Sequence, residues 1–177
     1  SLDEAAAATR AIAARAEAIV QTRAELIQLQ RRLETTVVYV THDQVEAMTM
    51  GHRIAIMSAG VLQQVGPPGE VYAQPANVFV AGFIGNPPMN LLEGTVETTG
   101  DTVAVVVDGA RVELTPALAA LVVAHDATDV VLGVRPEDLS VEADGALRAT
   151  VAVVESLGHE RHLVCERAGG ELLTSRV

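Results

Sequence analysis

The four residues Gly85-Asn86-Pro87-Pro88 divide the chain into two segments with different sequence patterns. Proline lacks an amide donor and disrupts both helices and central strands, so regular structure is not expected to continue across two consecutive prolines. Helix-forming runs dominate before this point, and short β-branched runs separated by turn residues dominate after it. We therefore predict a domain junction here, with one unit over residues 1–86 and a second over residues 87–177.

The first unit opens with a long helical pattern over residues 5–33, which contain no Gly or Pro and are rich in Ala, Glu, Arg and Leu. Aliphatic residues recur there every seven positions, at Ile12, Ile19, Leu26 and Leu33. Polar residues occupy positions that a coiled coil would need for its second apolar row. We therefore expect this stripe to lie on a sheet.

A run of β-branched and aromatic residues at 37–41, within the segment TVVYVTHDQ, ends at His42. Such a run is typical of a strand that is covered on both faces in a parallel sheet. A helix over about residues 43–50 follows, which makes an α/β unit. Ligands bind beyond the carboxyl ends of such strands, where a neutral imidazole can donate a hydrogen bond to a phosphate oxygen. His42 is therefore a candidate site residue, and an ordinary loop or capping role is the alternative.

The remaining patterns predict short elements. In the first unit we expect a hairpin of residues 53–57 and 61–65 around Ser58-Ala59-Gly60, then helices at 70–74 and 77–84. In the second unit we expect one helix at 116–124 and a small β-sandwich or barrel. Its predicted strands are 95–97, 103–107, 111–114, 130–134, 149–154 and 162–166. The predicted fold class is thus α/β followed by all-β.

The composition argues against several functions. The formal net charge is −11, whereas nucleic-acid binding relies on clustered basic residues, so no nucleic-acid partner is expected. The chain contains no lysine and hence no Gly-Lys-Ser/Thr phosphate loop. Cys165 is the single cysteine, and no Cys/His cluster has the spacing of a zinc site, so we predict no metal ligands. No uninterrupted apolar run reaches about 18 residues, so we predict no transmembrane helix.

The segment VVYVTHDQVEAM, residues 37–48, closely resembles the switch region of ATP-binding cassette (ABC) proteins, specifically the ATPase subunits of carbohydrate importers. Further similar segments are residues 20–25, 28–33, 63–66, 71–72, 75–85, 88–90 and the GVRPED element at 133–138. The resemblance implies that His42 is the switch histidine, which contacts the γ-phosphate of ATP and helps to position the attacking water. His42 is the one catalytic and nucleotide-binding residue that the resemblance assigns.

The resemblance also implies an architecture and partners. Residues 1–86 would be the end of an ABC-type nucleotide-binding α/β domain, with an atypical Ala-rich helix over residues 1–19. Residues 87–177 would be an OB-like regulatory β-barrel, truncated at its C-terminal end. The parent proteins use ATP and Mg and work with transmembrane permeases, a second ATPase subunit as a homodimer and, indirectly, an extracellular sugar-binding protein. They are cytoplasmic and peripheral on the inner face of the cell membrane.

The family's P-loop, Gln loop, signature motif and catalytic Glu precede the resembling region and are not recognised in this chain. We therefore interpret the chain as a C-terminal fragment of such an ATPase. Alone, it is expected neither to hydrolyse ATP nor to bind nucleotide tightly. Two alternatives remain: a free-standing regulatory or small-ligand-binding OB-like module, and a nonfunctional remnant of an ABC ATPase gene. The segment TVVYVTHDQ, residues 36–44, which we call the switch segment, favours a C-terminal fragment of the ATPase over the module, because a purely regulatory module has no use for it.

Overall fold

The computed structural model describes the backbone of residues 2–177 and the side-chain surroundings of residues 14, 15 and 18–177. The helices are α1 (Leu2–Leu33), α2 (Gln44–Met50), α3 (Pro68–Ala73), α4 (Val78–Phe83) and α5 (Pro116–Ala124), with a 3-10 turn at Pro136–Asp138. The strands are β1 (Ile54–Ser58), β2 (Val61–Gly66), β3 (Asn90–Thr99), β4 (Thr102–Val107), β5 (Ala110–Glu113), β6 (Asp129–Val134), β7 (Ala149–Ser156), β8 (Arg161–Arg167) and β9 (Leu172–Arg176).

A small core joins the β1–β2 hairpin to α2, α3 and α4. Its buried members are Ile54, Ile56, Val71, Val80 and Ile84, and Ala47, Met48 and Tyr72 pack against them. The two strands pair antiparallel, and Ala59 and Gly60 both have positive φ angles in the turn. Two consecutive positive φ angles match the right-handed twist of a hairpin. The predicted hairpin and both short helices are confirmed, with shifts of one or two residues at their ends.

The predicted buried strand at residues 37–41 is wrong for this structure. These residues form neither helix nor strand, and the side chains of Val38 and Val40 are 86% and 90% exposed. A parallel strand needs neighbours on both sides for its amides, and covering elements for its apolar side chains. Among the described residues no strand pairs with this segment, so the α/β part of the predicted fold class is not observed.

The predicted packing of the first helix on a sheet is also wrong for this structure. The helix itself forms as α1, but Ile19, Leu26 and Leu33 are 43%, 43% and 56% exposed. Ile12, the fourth member of the stripe, lies outside the residues with described side chains. The stripe is uncovered for the same reason as residues 37–41: the described part of the chain does not build the parallel sheet that both would require.

The second unit contains two antiparallel sheets, ordered β5-β4-β3-β6 and β7-β8-β9. Leu92, Val105 and Val107 are buried in its core, and side chains that include Leu132 and Val134 pack against them. All six predicted strands and the helix α5 are confirmed. The strand β9 was not predicted, and β3 is longer than predicted at ten residues. None of the helices in the described part of the chain combines the length and the apolarity needed to cross a membrane.

Buried polar side chains connect the two sheets of this unit. The Asn90 amide donates to the Thr174 carbonyl at 2.8 Å, and the Thr174 amide donates to Asn90 Oδ1 at 2.7 Å. The Arg167 guanidinium lies 2.6 Å from the Asp108 carboxylate and also pairs with Glu171. Burying polar groups is costly unless each has a partner, so this reciprocal pairing fixes one sheet against the other.

Candidate functional site

His42 lies one residue before the N-cap of α2, where the extended segment turns into the helix. Asp43 is the N-cap of α2, and its Oδ1 accepts hydrogen bonds from the amides of Val45 at 2.8 Å and Glu46 at 3.2 Å. Aspartate is one of the preferred N-cap residues because its carboxylate satisfies otherwise unpaired amides of the first turn. His42 is exposed, and within the described residues no group hydrogen-bonds to its imidazole. With respect to the described residues, the imidazole is therefore open to an external group.

Five polar residues hold the backbone on both sides of His42: Arg23, Tyr39, Thr41, Asp43 and Glu46, which we call the flanking cluster. Arg23 Nη2 lies 2.8 Å from Asp43 Oδ2 and 3.4 Å from Glu46 Oε1. Glu46 Oε2 accepts from the Thr41 hydroxyl at 2.7 Å and from the Tyr39 hydroxyl at 3.1 Å. The Asp43 amide in turn donates to Thr41 Oγ1 at 2.9 Å. Because these bonds connect residues before and after His42, they restrict the backbone that carries the imidazole.

The flanking cluster was not predicted from the sequence. A usable signal was present, because Asp43-Gln44-Val45-Glu46 places an acidic residue three positions after an N-cap, the spacing of a capping box. The Thr41 hydroxyl bonds to Glu46 across the start of α2. The contact with Arg23 depends on the packing of α1 beside α2, which residue spacing does not encode.

The flanking cluster favours ionised carboxylates. Hydrogen bonds lower the pKa of Glu46, with that from the Thr41 hydroxyl as the largest cause. The pKa of Asp43 is also lowered, chiefly by its hydrogen bond from the Glu46 amide. The hydrogen bond to Glu46 raises the pKa of Tyr39, which therefore remains a donor. Depressed carboxyl pKa values stabilise the fold above the usual carboxyl pKa, and this contribution is lost as the pH falls through the depressed values.

Thr41→Val is expected to raise the pKa of Glu46 toward its usual value, because valine removes the largest hydrogen bond to the ionised carboxylate. A carbon-detected NMR titration of the side-chain carboxyls measures this directly. Thr49→Val is the matched control, since the Thr49 hydroxyl on the same helix donates to the Val45 carbonyl and does not contact Glu46. An unchanged Glu46 titration in Thr41→Val would contradict the described cluster.

A second anchor attaches α2 to the end of α4. Gln44 Nε2 donates to the Phe83 carbonyl at 2.5 Å, and the Gly85 amide donates to Gln44 Oε1 at 3.0 Å. The side-chain amide of Gln44 thus donates one hydrogen bond to the backbone just before Asn86-Pro87-Pro88 and accepts another from it. Gln44 belongs to the switch segment, but its sequence position gave no signal for this pairing.

The site offers one exposed imidazole and few other groups that could contact a nucleotide. His42 is exposed, and none of the residues with described side chains pairs with its imidazole nitrogens, which can therefore contact an anionic oxygen. No group of three potential metal ligands occurs among the described side chains. A phosphate-bound Mg ion needs only one or two protein carboxylates, but the carboxylates next to His42 are engaged with Arg23, Thr41 and α2 amides. The described residues therefore fit a single phosphate contact, without a cradle for the whole nucleotide.

Two sequence models of known families match the second unit. The MalK OB fold domain matches residues 85–139, and the TOBE domain matches residues 132–177. The first match includes the sheet β5-β4-β3-β6, and the second includes the sheet β7-β8-β9. The two sheets of the second unit thus correspond to two successive matched domains.

Curated proteins resemble most of the chain. It is 50% identical over 161 residues to the trehalose/maltose import ATP-binding protein MalK of Thermococcus litoralis, a match that covers 85% of the chain and 42% of that relative. It is 46% identical over 159 residues to the sn-glycerol-3-phosphate import ATP-binding protein UgpC of Bordetella pertussis, a match that covers 89% of the chain and 42% of that relative. It is 45% identical over 154 residues to the trehalose import ATP-binding protein SugC of Mycobacterium tuberculosis, a match that covers 81% of the chain and 38% of that relative. The chain thus spans about two-fifths of the length of these relatives.

Proposed function

Because the chain belongs to the carbohydrate-importer family of ABC ATPases, we propose that it supplies the switch histidine and the regulatory domain of a sugar-importing ATPase. One observation carries this proposal: the similarity extends over 85% of the chain at 50% identity. A continuous match of that extent includes His42 and the residues matched by the MalK OB fold domain, and it reaches into those matched by the TOBE domain. The two parts are therefore retained together, as a switch and its regulatory domain would be.

In this function His42 acts on the terminal phosphate of ATP. Its imidazole donates a hydrogen bond to a γ-phosphate oxygen and helps to orient the attacking water, so that charge is stabilised as the phosphoryl group transfers. The flanking cluster holds the backbone of His42 from both sides, which keeps the imidazole in one position relative to the phosphate. ATP is the substrate, and its Mg ion would be bound by residues outside this site.

The finer fold assignment belongs to the same proposal. Residues 1–86 are the end of a nucleotide-binding α/β domain, and residues 87–177 are its OB-like regulatory domain. The exposed residues 37–41 become a central strand when the parallel sheet of the ATPase portion pairs with them, which would also cover the apolar stripe of α1. The exposure of Val38 and Val40 supports this, because an apolar β-branched run in water is unfavourable unless something covers it.

The partners follow from the same role. The names of the relatives describe import ATP-binding proteins for trehalose, maltose and glycerol phosphate. By analogy, this protein works at the cytoplasmic face of the cell membrane with transmembrane permeases and a second ATPase subunit. An extracellular sugar-binding protein acts on it indirectly through the permeases.

The test joins this chain to the portion that it would need. We expect the 177-residue chain alone to release no phosphate from Mg-ATP above background. Residues 36–177 should support ATP hydrolysis when they replace the matching portion of the Thermococcus relative and the chimera is assembled with that relative's permeases. The control is the same relative with this portion deleted, which should be inactive. A folded chimera as inactive as the control would refute the proposed function, as would ATP turnover by the chain alone.

A regulatory module is the second candidate, because both family models match only within residues 85–177. In that case the OB-like unit would act by binding a small ligand or a protein, and His42 would be a loop residue. The same chimera discriminates between the two candidates. A module would leave the chimera without ATP turnover, whereas the switch function predicts activity.

A further inference from the structure

Three consecutive backbone residues, Phe83-Ile84-Gly85, are held from opposite sides. Gln44 of α2 bonds to the Phe83 carbonyl and the Gly85 amide. Arg135, which follows β6 in the second unit, donates from Nη1 to the Ile84 carbonyl at 2.5 Å. This short segment therefore lies between the helix that follows His42 and an arginine that is 51 positions after Ile84 in the sequence. We call it the clamped segment.

The surroundings of Arg135 leave it little freedom. The residue is 6% exposed, and its Nη2 donates to the Tyr72 carbonyl at 2.5 Å. Its guanidinium stacks 3.8 Å from the centroid of the Tyr72 ring, and the Tyr72 hydroxyl donates to Glu137. A planar guanidinium can combine several donors with stacking in one arrangement, which a lysine cannot reproduce. Arg135 thus joins the second unit to α3 and to the clamped segment at once.

Gly85 shows how closely the guanidinium approaches. Its φ is +122°, and a Cβ at this position would lie 2.9 Å from Arg135 Nη1 and 3.0 Å from the Pro87 carbonyl oxygen. A side chain would therefore be excluded both by backbone conformation and by the arginine. The absence of a Cβ lets the arginine and Gln44 engage neighbouring groups of the same three residues.

We propose that Arg135 is a positioning residue for the switch segment. It fixes the clamped segment, the clamped segment fixes Gln44, and Gln44 fixes the start of α2 next to His42. A displacement of the second unit therefore shifts the start of α2, which couples the regulatory domain to the switch histidine. The coupling rests on the described contacts, and its consequence for ATP hydrolysis rests on the proposed function. Such coupling is reciprocal, so a change at Gln44 must also affect Arg135.

Hydrogen exchange of the full chain, followed residue by residue, tests this coupling without nucleotide. Arg135→Met keeps an apolar stem but removes the donors. We expect it to speed exchange of the Gly85 and Ala47 amides about tenfold or more, since hydrogen bonds to charged groups are among the stronger ones. Amides of the β7–β8 ladder should change much less. Unchanged exchange at Ala47 would overturn the proposal.

Arg167→Met is the matched control. Arg167 is also a buried arginine of the second unit, 4% exposed, but it pairs with Asp108 and Glu171 and not with the clamped segment. Its loss should speed exchange within the second unit and leave Ala47 unchanged. An equal acceleration of Ala47 exchange in both variants would show general destabilisation in place of coupling, and the proposal would fail.

Gln44→Ala decides the question if Arg135→Met does not fold, because Gln44 lies on a partly exposed surface of a short helix. By reciprocity it should speed exchange of the Asp138 amide, which donates to the Arg135 carbonyl at 3.0 Å. Where both variants fold, adding Arg135→Met to Gln44→Ala should not speed exchange of the Ala47 amide further, because both residues act through the clamped segment. An unchanged exchange rate of the Asp138 amide in Gln44→Ala would overturn the coupling. Fully additive effects of the two substitutions on Ala47 exchange would also overturn it. Because no nucleotide is present, these results do not depend on whether His42 contacts phosphate.

Discussion

Replacing His42 with alanine is expected to slow ATP hydrolysis about a hundred- to a thousand-fold in the assembled chimera while nucleotide affinity stays nearly constant. The loss corresponds to about 2.7 to 4 kcal/mol, the usual cost of removing one well-placed donor to charge that develops in the transition state. Affinity should change little, because the proposed function gives this chain a single phosphate contact and assigns the remaining nucleotide contacts to the ATPase portion. Phosphate release and equilibrium nucleotide binding, measured on the same preparation, separate these two effects.

His52→Ala is the matched control for this prediction. His52 is also exposed, but it lies beyond the opposite end of α2, away from the flanking cluster. Its replacement should leave both hydrolysis and binding near the parent values. Near-normal turnover of the His42 variant, or a defect confined to nucleotide affinity, would show that His42 is an ordinary residue preceding the N-cap.

Gly94→Ala is expected to lower the free energy of unfolding by about 3 kcal/mol, at the upper end of the usual range for overpacking a core. A Cβ at Gly94 would lie 2.6 Å from Val105 Cγ1 and 2.7 Å from the Val106 carbonyl oxygen. Val105 is 1% exposed and cannot move outward, and the carbonyl belongs to the strand backbone, so β3 and β4 must separate locally. Urea-induced unfolding followed by circular dichroism gives the change.

Gly69→Ala provides the comparison, because a Cβ at Gly69 meets no atom within 4 Å and the residue lies in α3. Alanine has a higher helix propensity than glycine, so this variant should be neutral or stabilised by up to about 1 kcal/mol. If the Gly94→Ala variant were as stable as the Gly69→Ala variant, the described close packing of β3 against β4 at Gly94 would be incorrect.

Local sequence patterns predicted nearly all the elements that short-range interactions specify. The hairpin at Ser58-Ala59-Gly60, the helix after Asp43 and the strands of the second unit each formed where turn residues, caps and β-branched runs indicated. The similar segments around His42 and in GVRPED were sufficient to indicate the family from residue order alone. These successes share a cause, because capping, turn conformation and side-chain periodicity act between residues close in sequence.

Tertiary structure alone decided the rest. The β-branched run at 37–41 has a strong strand propensity, yet it remains exposed, because strand pairing requires a neighbour that the described chain does not provide. Arg135 and Gln44 both belong to motifs that the sequence reveals, but their meeting at the clamped segment depends on how distant parts of the chain pack. The sequence by itself determined local elements and the candidate histidine. The folded chain determined which elements are covered and what holds that histidine, because burial and long-range hydrogen bonds exist only once distant segments are in contact.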